Sequence, residues 1–344
     1  MFNYNKKFMK RVLITGVGGF LAHHTMEHLL INTDWEIVGI DSWAHKGVSE
    51  RVIDSEHYKA NRHRVSIHTH DLTAPISDVL KNRIGHIDYI LAIASQSHVD
   101  RSITDPVPFI KNNIDLILNT LEYAREVKPE KFLLISTDEV YGPITEGGHP
   151  EWDSIIPSNP YSASKSAQED ISISYWRTYG LPLILTNCMN LIGERQDPEK
   201  YLPMCIKKIA DGEAISVHSQ NGQIGTRFYL HARNFSDAML FLLNNISPAK
   251  YPDADRPDRF NIVGKTELNN LELAQKVADI MGKELKYELV DVHSTRPGHD
   301  LRYGLDGSKL AALGYDFPVP FDVSLETTVE WHMKRKNQEW RSLR

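Results

Sequence analysis

Val12-Leu13-Ile14-Thr15-Gly16-Val17-Gly18-Gly19-Phe20-Leu21-Ala22 decides how this chain folds. An apolar run of strand length breaks into glycines, and a stretch with helical spacing follows over residues 23–30. Gly16, Gly19 and Ala22 supply tight turning and close packing at a helix start, where backbone N–H groups can meet a pyrophosphate. Taken alone, such a turn is equally a plain glycine-rich connection. The next strand-like run, Ile37-Val38-Gly39-Ile40, is followed at once by Asp41, about 20 residues beyond the turn, where a carboxylate can accept from both ribose hydroxyls of adenosine. An aspartate there repels a 2′-phosphate. Strand, turn, helix, strand and acid in this order predict NAD as the cofactor.

Outward from the turn, residues 12–15, 36–40, 89–93 and 132–136 read as buried parallel strands, with another strand-like piece at 183–186. Helical stretches lie between them, including 107–125, which begins after Asp105-Pro106 as a helix start would. This alternation predicts an α/β fold: a doubly wound parallel Rossmann sheet with a smaller C-terminal substrate-binding lobe. The expected division is an NAD-binding domain over 10–186, with strands returning near 235–264, and a smaller lobe made mainly from 187–344 that closes over whatever the first part binds. No flexible linker separates the halves, so the chain is expected to cross between them more than once.

Composition narrows the function. A hydrophobic fraction of 41% over 344 residues supplies a full core, and a formal charge of −6 with no basic block argues against nucleic-acid binding. Two cysteines, Cys188 and Cys205, are too few for a disulfide framework and suit a reducing cytoplasm. Residues 1–10 lack a long apolar core, and no run reaches membrane-spanning length, so neither secretion nor insertion is expected.

Tyr161-Ser162-Ala163-Ser164-Lys165 sets a tyrosine and a lysine four apart, on one face of a helix. A free tyrosine titrates near 10, so a base role at neutral pH requires a nearby cation, which a lysine one turn away provides. As an isolated pattern this is a solvated pair. Beside an NAD turn it is the base that hydride removal from an alcohol requires. Ser136-Thr137-Asp138-Glu139-Val140-Tyr141-Gly142 follows the 132–135 run and stands at the ligand-facing end of the sheet. Alcohol oxidation needs only the tyrosine, whereas loss of water needs an acid for the departing hydroxyl and a base for a carbon-bound proton.

These runs resemble the extended short-chain dehydrogenases and, within them, the dTDP-glucose 4,6-dehydratases. The resemblance covers nearly the whole chain and rests also on Gln96-Ser97-His98-Val99-Asp100-Arg101-Ser102-Ile103, Pro198-Glu199-Lys200 with Pro203, and Arg296-Pro297-Gly298-His299-Asp300. It implies that Tyr161, assisted by Lys165 and Thr137, deprotonates a hexose 4-hydroxyl, that Glu139 takes the C5 proton, and that Asp138 protonates the leaving 6-hydroxyl. It also implies cofactor contacts at Gly16, Gly19, Phe20, Leu21, Asp41, Asp71, Leu72, Thr104, Tyr161, Lys165 and Asn190. Substrate contacts are implied at Gln96, Thr137, Asn190, Glu199, Lys200, Arg227, Asn261, Arg296 and His299. A homodimer follows from the same resemblance, with the helices around 107–125 and 163–179 pairing across a two-fold axis.

Several positions depart from the family. Ala92-Ile93-Ala94-Ser95-Gln96 stands where His-Leu-Ala-Ala-Glu is usual, Leu191-Ile192 replaces Asn-Tyr, and Phe228 with Asn234 replaces two acids. The connection from Gly142 to Pro160 is short. These changes bear on substrate more than on reaction type. The rival readings are a nucleotide-sugar 4-epimerase or decarboxylase of the same superfamily, and an NAD-sensing protein without turnover. His24-Thr25-Met26-Glu27-His28 matches an inverted zinc-protease pattern, but its place on the helix after the turn is explained by packing, so no metal site is expected.

Overall fold

The computed structural model describes residues 9–44, 47–291 and 300–334. Seven parallel strands form its central sheet: β1 (Arg11–Thr15), β2 (Glu36–Asp41), β3 (Val65–Thr69), β4 (Tyr89–Ala92), β5 (Lys131–Thr137), β6 (Leu183–Cys188) and a late strand, Asp258–Ile262. The chain runs outward from β1 through β2 to β3, then returns to lay β4 on the other side of β1. That reversal opens a crevice beyond the carboxyl ends of β1 and β4, the point where ligands bind in such sheets.

Alternation along β1 sorts its side chains into two layers: Val12 and Ile14 join a core with Met26, Leu133 and Phe235, while Leu13 joins Ile90, Leu121 and Trp176. Helices Phe20–Asn32 and Ala232–Asn245 cover the first face, and Pro106–Val127 and Pro160–Tyr179 the second. With both faces covered, the inner strands can be apolar almost throughout. β3 is the exception. Its sequence Val65-Ser66-Ile67-His68-Thr69 alternates because it lies at the sheet edge, half-buried, and so it offers no continuous apolar run.

Beyond β6 the chain crosses into the lobe, forming β7 (Asn190–Ile192), β8 (Ile215–Gln220), β9 (Gln223–Ile224) and β10 (Thr226–His231). It then returns to the main sheet for the Ala232–Asn245 helix and the Asp258–Ile262 strand, which is β11, before leaving again through β12 (Thr266–Asn269) and β13 (Tyr287–Asp291). The lobe has its own core, in which Leu202, Ile206, Leu273, Val277, Leu325 and Val329 are fully buried or nearly so. Each such side chain contributes about 1.5–3 kcal/mol of burial. A smaller cluster of Val140, Tyr141, Met189, Tyr303 and Leu305 joins lobe to sheet beneath the crevice.

Candidate active site

The glycine turn closes against the end of β4. Gly16 adopts φ +69°, and a Cβ there would stand 3.0 Å from Ala94 Cα; a Cβ on Gly19 would stand 2.9 Å from the Gly16 carbonyl oxygen. Thr15 fastens the same junction, its Oγ1 accepting from Ile93 N at 2.9 Å and Ala94 N at 3.0 Å. The turn is thus a cradle with no room for side chains at Gly16 and Gly19. Asp41 ends β2 and is buried, its carboxylate accepting from Gly18 N at 2.9 Å and Trp43 N at 2.8 Å. Burial raises its pKa, opposed by those two N–H groups and by Arg51. Asp71 and Leu72 continue the wall beyond β3, together with His70.

A cavity of about 560 Å³ runs from this turn to the lobe, and Phe20, Leu21, Tyr161 and Lys165 line it. The helix carrying the tyrosine and lysine begins at Pro160 because Asn159 caps it: its side chain accepts from Ser162 N, and the Ser162 hydroxyl returns the bond to the Asn159 backbone. Tyr161 and Lys165 therefore share one face at the carboxyl edge of the sheet. Lys165 differs from the sequence expectation in one respect. Its ammonium is held by the Ile135 carbonyl and by Gln168 Oε1, each at 2.6 Å, and burial lowers its pKa to about 8 against the opposing charge of Glu169. The phenol of Tyr161 stays well above its ordinary value, first through burial and then through Glu139 and Cys188, with Thr137 opposing. The expected lowering of the tyrosine by its lysine is not a property of the protein groups alone, because two of the ammonium's three donors are committed to Ile135 and Gln168.

β5 delivers Thr137, and a single 3-10 turn follows over Asp138–Val140. Thr137 Oγ1 donates to Asp138 Oδ1 at 2.9 Å, while Asp138 Oδ2 is buried with no hydrogen-bond donor. Burial, with Glu139 beside it, pushes the Asp138 carboxyl up to about 7. Glu139 accepts from Asn159 Nδ2 at 3.0 Å; burial raises its pKa too, with Asn159, Arg227 and Lys200 opposing. Two adjacent carboxyls thus receive different environments, one able to keep a proton near neutrality and one provided with donors and cations.

The lobe end of the cavity is lined by Gln96, Asn190, Glu199, Lys200 and Arg227, together with Ser216, His218, Tyr229, Asn270 and Tyr303. Arg227 lies over the Tyr303 ring at 4.7 Å and donates to the carbonyls of Thr226, Leu301 and Asp300. Glu199 pairs with Arg101 at 3.2 Å, and Lys200 Nζ donates to Ser97 O at 3.1 Å. The Gln96 backbone is fixed by Asn113, which also bonds Ser164 on the tyrosine helix.

Two expected contacts fall outside the cavity. Thr104 is exposed at the end of helix Val99–Thr104 and turns back to the Asp100 carbonyl; Phe109 and Asn112 of the following helix line the wall instead. Asn261 is fully buried on β11, the far edge of the sheet; its amide N–H groups donate to His149 O and Asp306 O, and its Oδ1 has no hydrogen-bond donor. Arg296 and His299 lie outside the described residues. The His24, Glu27 and His28 pattern is committed to protein partners: His24 Nε2 lies 3.0 Å from Glu194 O, Glu27 pairs with Arg195 at 3.1 Å, and His28 with Asp237 at 3.2 Å. His23, His24 and Glu27 do place ligand-type atoms within 4.8 Å of one another. Asn159, Gln168 and Arg51 were missed by sequence reasoning. Only Asn159, before a proline at a helix start, carried a legible signal.

Comparison with known proteins places this geometry. The family model described as GDP-mannose 4,6 dehydratase matches residues 13–328. The chain is 32% identical over 325 residues to the low-salt glycan biosynthesis protein Agl12 of Haloferax volcanii, covering 94% of this chain and 98% of that one. It is 31% identical to a dTDP-glucose 4,6-dehydratase of Escherichia coli, covering 95% and 94%. A dTDP-glucose 4,6-dehydratase structure from Streptomyces venezuelae, solved with NAD, superposes with a TM-score of 0.84 at 30% identity over 96% of this chain and 99% of that one. A UDP-glucose 4-epimerase of Thermus thermophilus, also with NAD, gives 0.82 at 25% over 94% and 99%. NAD is the cofactor of this group, and the side-chain-free cradle at Gly16 and Gly19 with Asp41 beside it fits that dinucleotide. Among the described residues no helix is long and apolar enough to cross a membrane. With a match over nearly the whole chain, the protein belongs to the GDP-mannose 4,6 dehydratase family of extended short-chain dehydrogenases.

Proposed function

We propose that this protein is a nucleotide-sugar 4,6-dehydratase that converts an NDP-hexose, dTDP-glucose or UDP-glucose by preference, into the NDP-4-keto-6-deoxyhexose and water. The observation that carries this reading is the paired turn of Asp138 and Glu139 facing Tyr161 in one cavity. The glycine turn and Asp41 would hold NAD, which when bound would supply the hydride acceptor for C4 and the hydride donor for C6. Tyr161 takes the 4-hydroxyl proton, with Thr137 beside it and Lys165 held on the same helix face. The new ketone acidifies C5–H, whose proton passes to Glu139. Asp138, which keeps a proton near neutrality, gives it to the departing 6-hydroxyl, so the elements of water leave; as hydride adds at C6, Glu139 returns its proton to C5, and the proton taken by Tyr161 makes up the one Asp138 gave away. Arg227 and Lys200 at the lobe end suit a diphosphate. Helices Pro106–Val127 and Pro160–Tyr179 pack side by side and supply the face for a homodimer.

A 4-epimerase or decarboxylase would use the same cofactor site and tyrosine but has no need of both carboxyls. Incubation with dTDP-glucose, UDP-glucose, GDP-mannose and CDP-glucose, with products read by mass and NMR, tests the reading. A 4-keto-6-deoxy product, 18 mass units lighter by loss of water, is expected. A 4-epimer of unchanged mass would overturn it.

A further inference from the structure

Arg51 is 1% exposed, yet it lies in the short helix Glu50–Ile53, outside every motif that defines the active site. Its guanidinium spans two regions that share no backbone pairing. On one side Nη1 donates to the Gly18 carbonyl at 3.1 Å, in the glycine turn, whose N–H is held from the other face by Asp41. On the other side Nε donates to Arg195 O at 3.0 Å, and Nη2 pairs with Asp197 Oδ1 at 3.1 Å. Arg195 has a left-handed backbone, φ +61°, which a side-chain-bearing residue adopts only when its surroundings hold it there. From Asp197 the chain passes directly to Lys200, whose backbone N–H donates to the Asp197 carbonyl at 2.9 Å and whose side chain lines the lobe end of the cavity.

We propose that Arg51 is a positioning residue that couples the cofactor turn to the substrate strap formed by residues 193–200. A planar guanidinium with donors fixed in a fork can satisfy both sides only when turn and strap stand in one relative position. Dinucleotide on the turn therefore presets the strap for the nucleotide diphosphate, and by linkage the nucleotide diphosphate holds the dinucleotide. The inference rests on the nucleotide-sugar reading above for the identity of the second ligand, and on the hydrogen bonds of Arg51 for the coupling.

The test is the rate at which NAD leaves the purified holoenzyme, followed by an enzymatic trap for free NAD, without and with dTDP, UDP, GDP or CDP. Binding of each nucleotide is measured separately by calorimetry. In the parent, a nucleotide that binds slows NAD release by about fivefold or more. In Arg51→Met that slowing falls below about twofold. Arg51→Lys, which can reach one side but not fork to both, restores part of it. Asp197→Asn weakens the slowing while leaving the guanidinium buried, and it decides the matter where Arg51→Met does not fold. A merely structural arginine would speed NAD release in the variants yet leave the ratio with and without nucleotide unchanged, and that result overturns the proposal. A nucleotide that binds the parent without slowing NAD release overturns it as well. If none of the four nucleotides binds, the nucleotide-sugar reading itself falls, and the coupling with it.

Discussion

Asp41 and Asp138 occupy the same kind of place, the carboxyl end of a parallel strand, and both are buried, at 6% and 5% exposure. Their surroundings differ. Asp41 accepts two backbone N–H groups and lies near Arg51, so burial is opposed from several sides. Asp138 receives one hydroxyl from Thr137, leaves Oδ2 without a donor, and has Glu139 next in sequence, so its carboxyl rises to about 7. The strand end supplies the address, and the donors around it decide whether the acid stands as a fixed acceptor or as a store for a proton.

The most damaging way to break the comparison is to remove the proton store. Asp138→Asn combined with Glu139→Gln is expected to lower dehydration by about 10²- to 10⁴-fold while C4 oxidation persists, seen as reduced nicotinamide accumulating on the enzyme with substrate. Dehydration at the parent rate in that double variant would show that neither carboxyl takes part. The acceptor is tested by Asp41→Asn, which keeps the shape but removes the charge opposing a 2′-phosphate. The preference for NAD over NADP should fall by about tenfold, read from the affinities of both cofactors. An unchanged preference would mean that discrimination lies elsewhere in the adenosine pocket.

The contrast also explains what the sequence could convey. β1, the glycine turn and Asp41 are legible because they depend on local chemistry: apolar runs of strand length, glycines where no Cβ fits, and an acid at a fixed distance. Tyr161 and Lys165 are legible for the same reason, since helical spacing alone puts them on one face. That Lys165 is anchored to Ile135 and Gln168, or that Asn159 steadies Glu139, depends on which elements meet in space. Asn261 shows the limit from the other direction. Its sequence match pointed to a ligand, but β11 lies at the sheet's far edge and the amide N–H groups are given to the carbonyls of His149 and Asp306. Arg51 had no signal, because an arginine in a short helix reads as surface until Gly18, Arg195 and Asp197 are assembled around it.

A finer test uses pH. If Asp138 must carry a proton, dehydration by the parent should decline as pH rises through about 7, by about tenfold per unit beyond it, until Lys165, lowered to about 8, adds a second loss. A rate flat from pH 6 to about 8 would remove Asp138 from the acid role.

The smallest effect concerns stability and has a fixed sign. Asp138 has a folded pKa of about 7, whereas an unfolded aspartate titrates near 3.9. Between those values the folded state keeps a proton that the unfolded state has released, so stability contributed at this site falls as pH rises through the window and levels off above about 7. Asp138→Asn has no charge to bury. Relative to the parent it should gain little near pH 4 and gain progressively toward neutrality, reaching on the order of 4 kcal/mol above about pH 7. The same exchange at Asp41 removes a carboxylate whose two N–H donors and arginine already offset part of its burial, so its pH-dependent gain should be smaller. Denaturant unfolding at several pH values measures both variants. Equal pH dependence for the two would mean that the donors around Asp41 do not distinguish it from Asp138 energetically, and the division into acceptor and proton store would fail at its physical root.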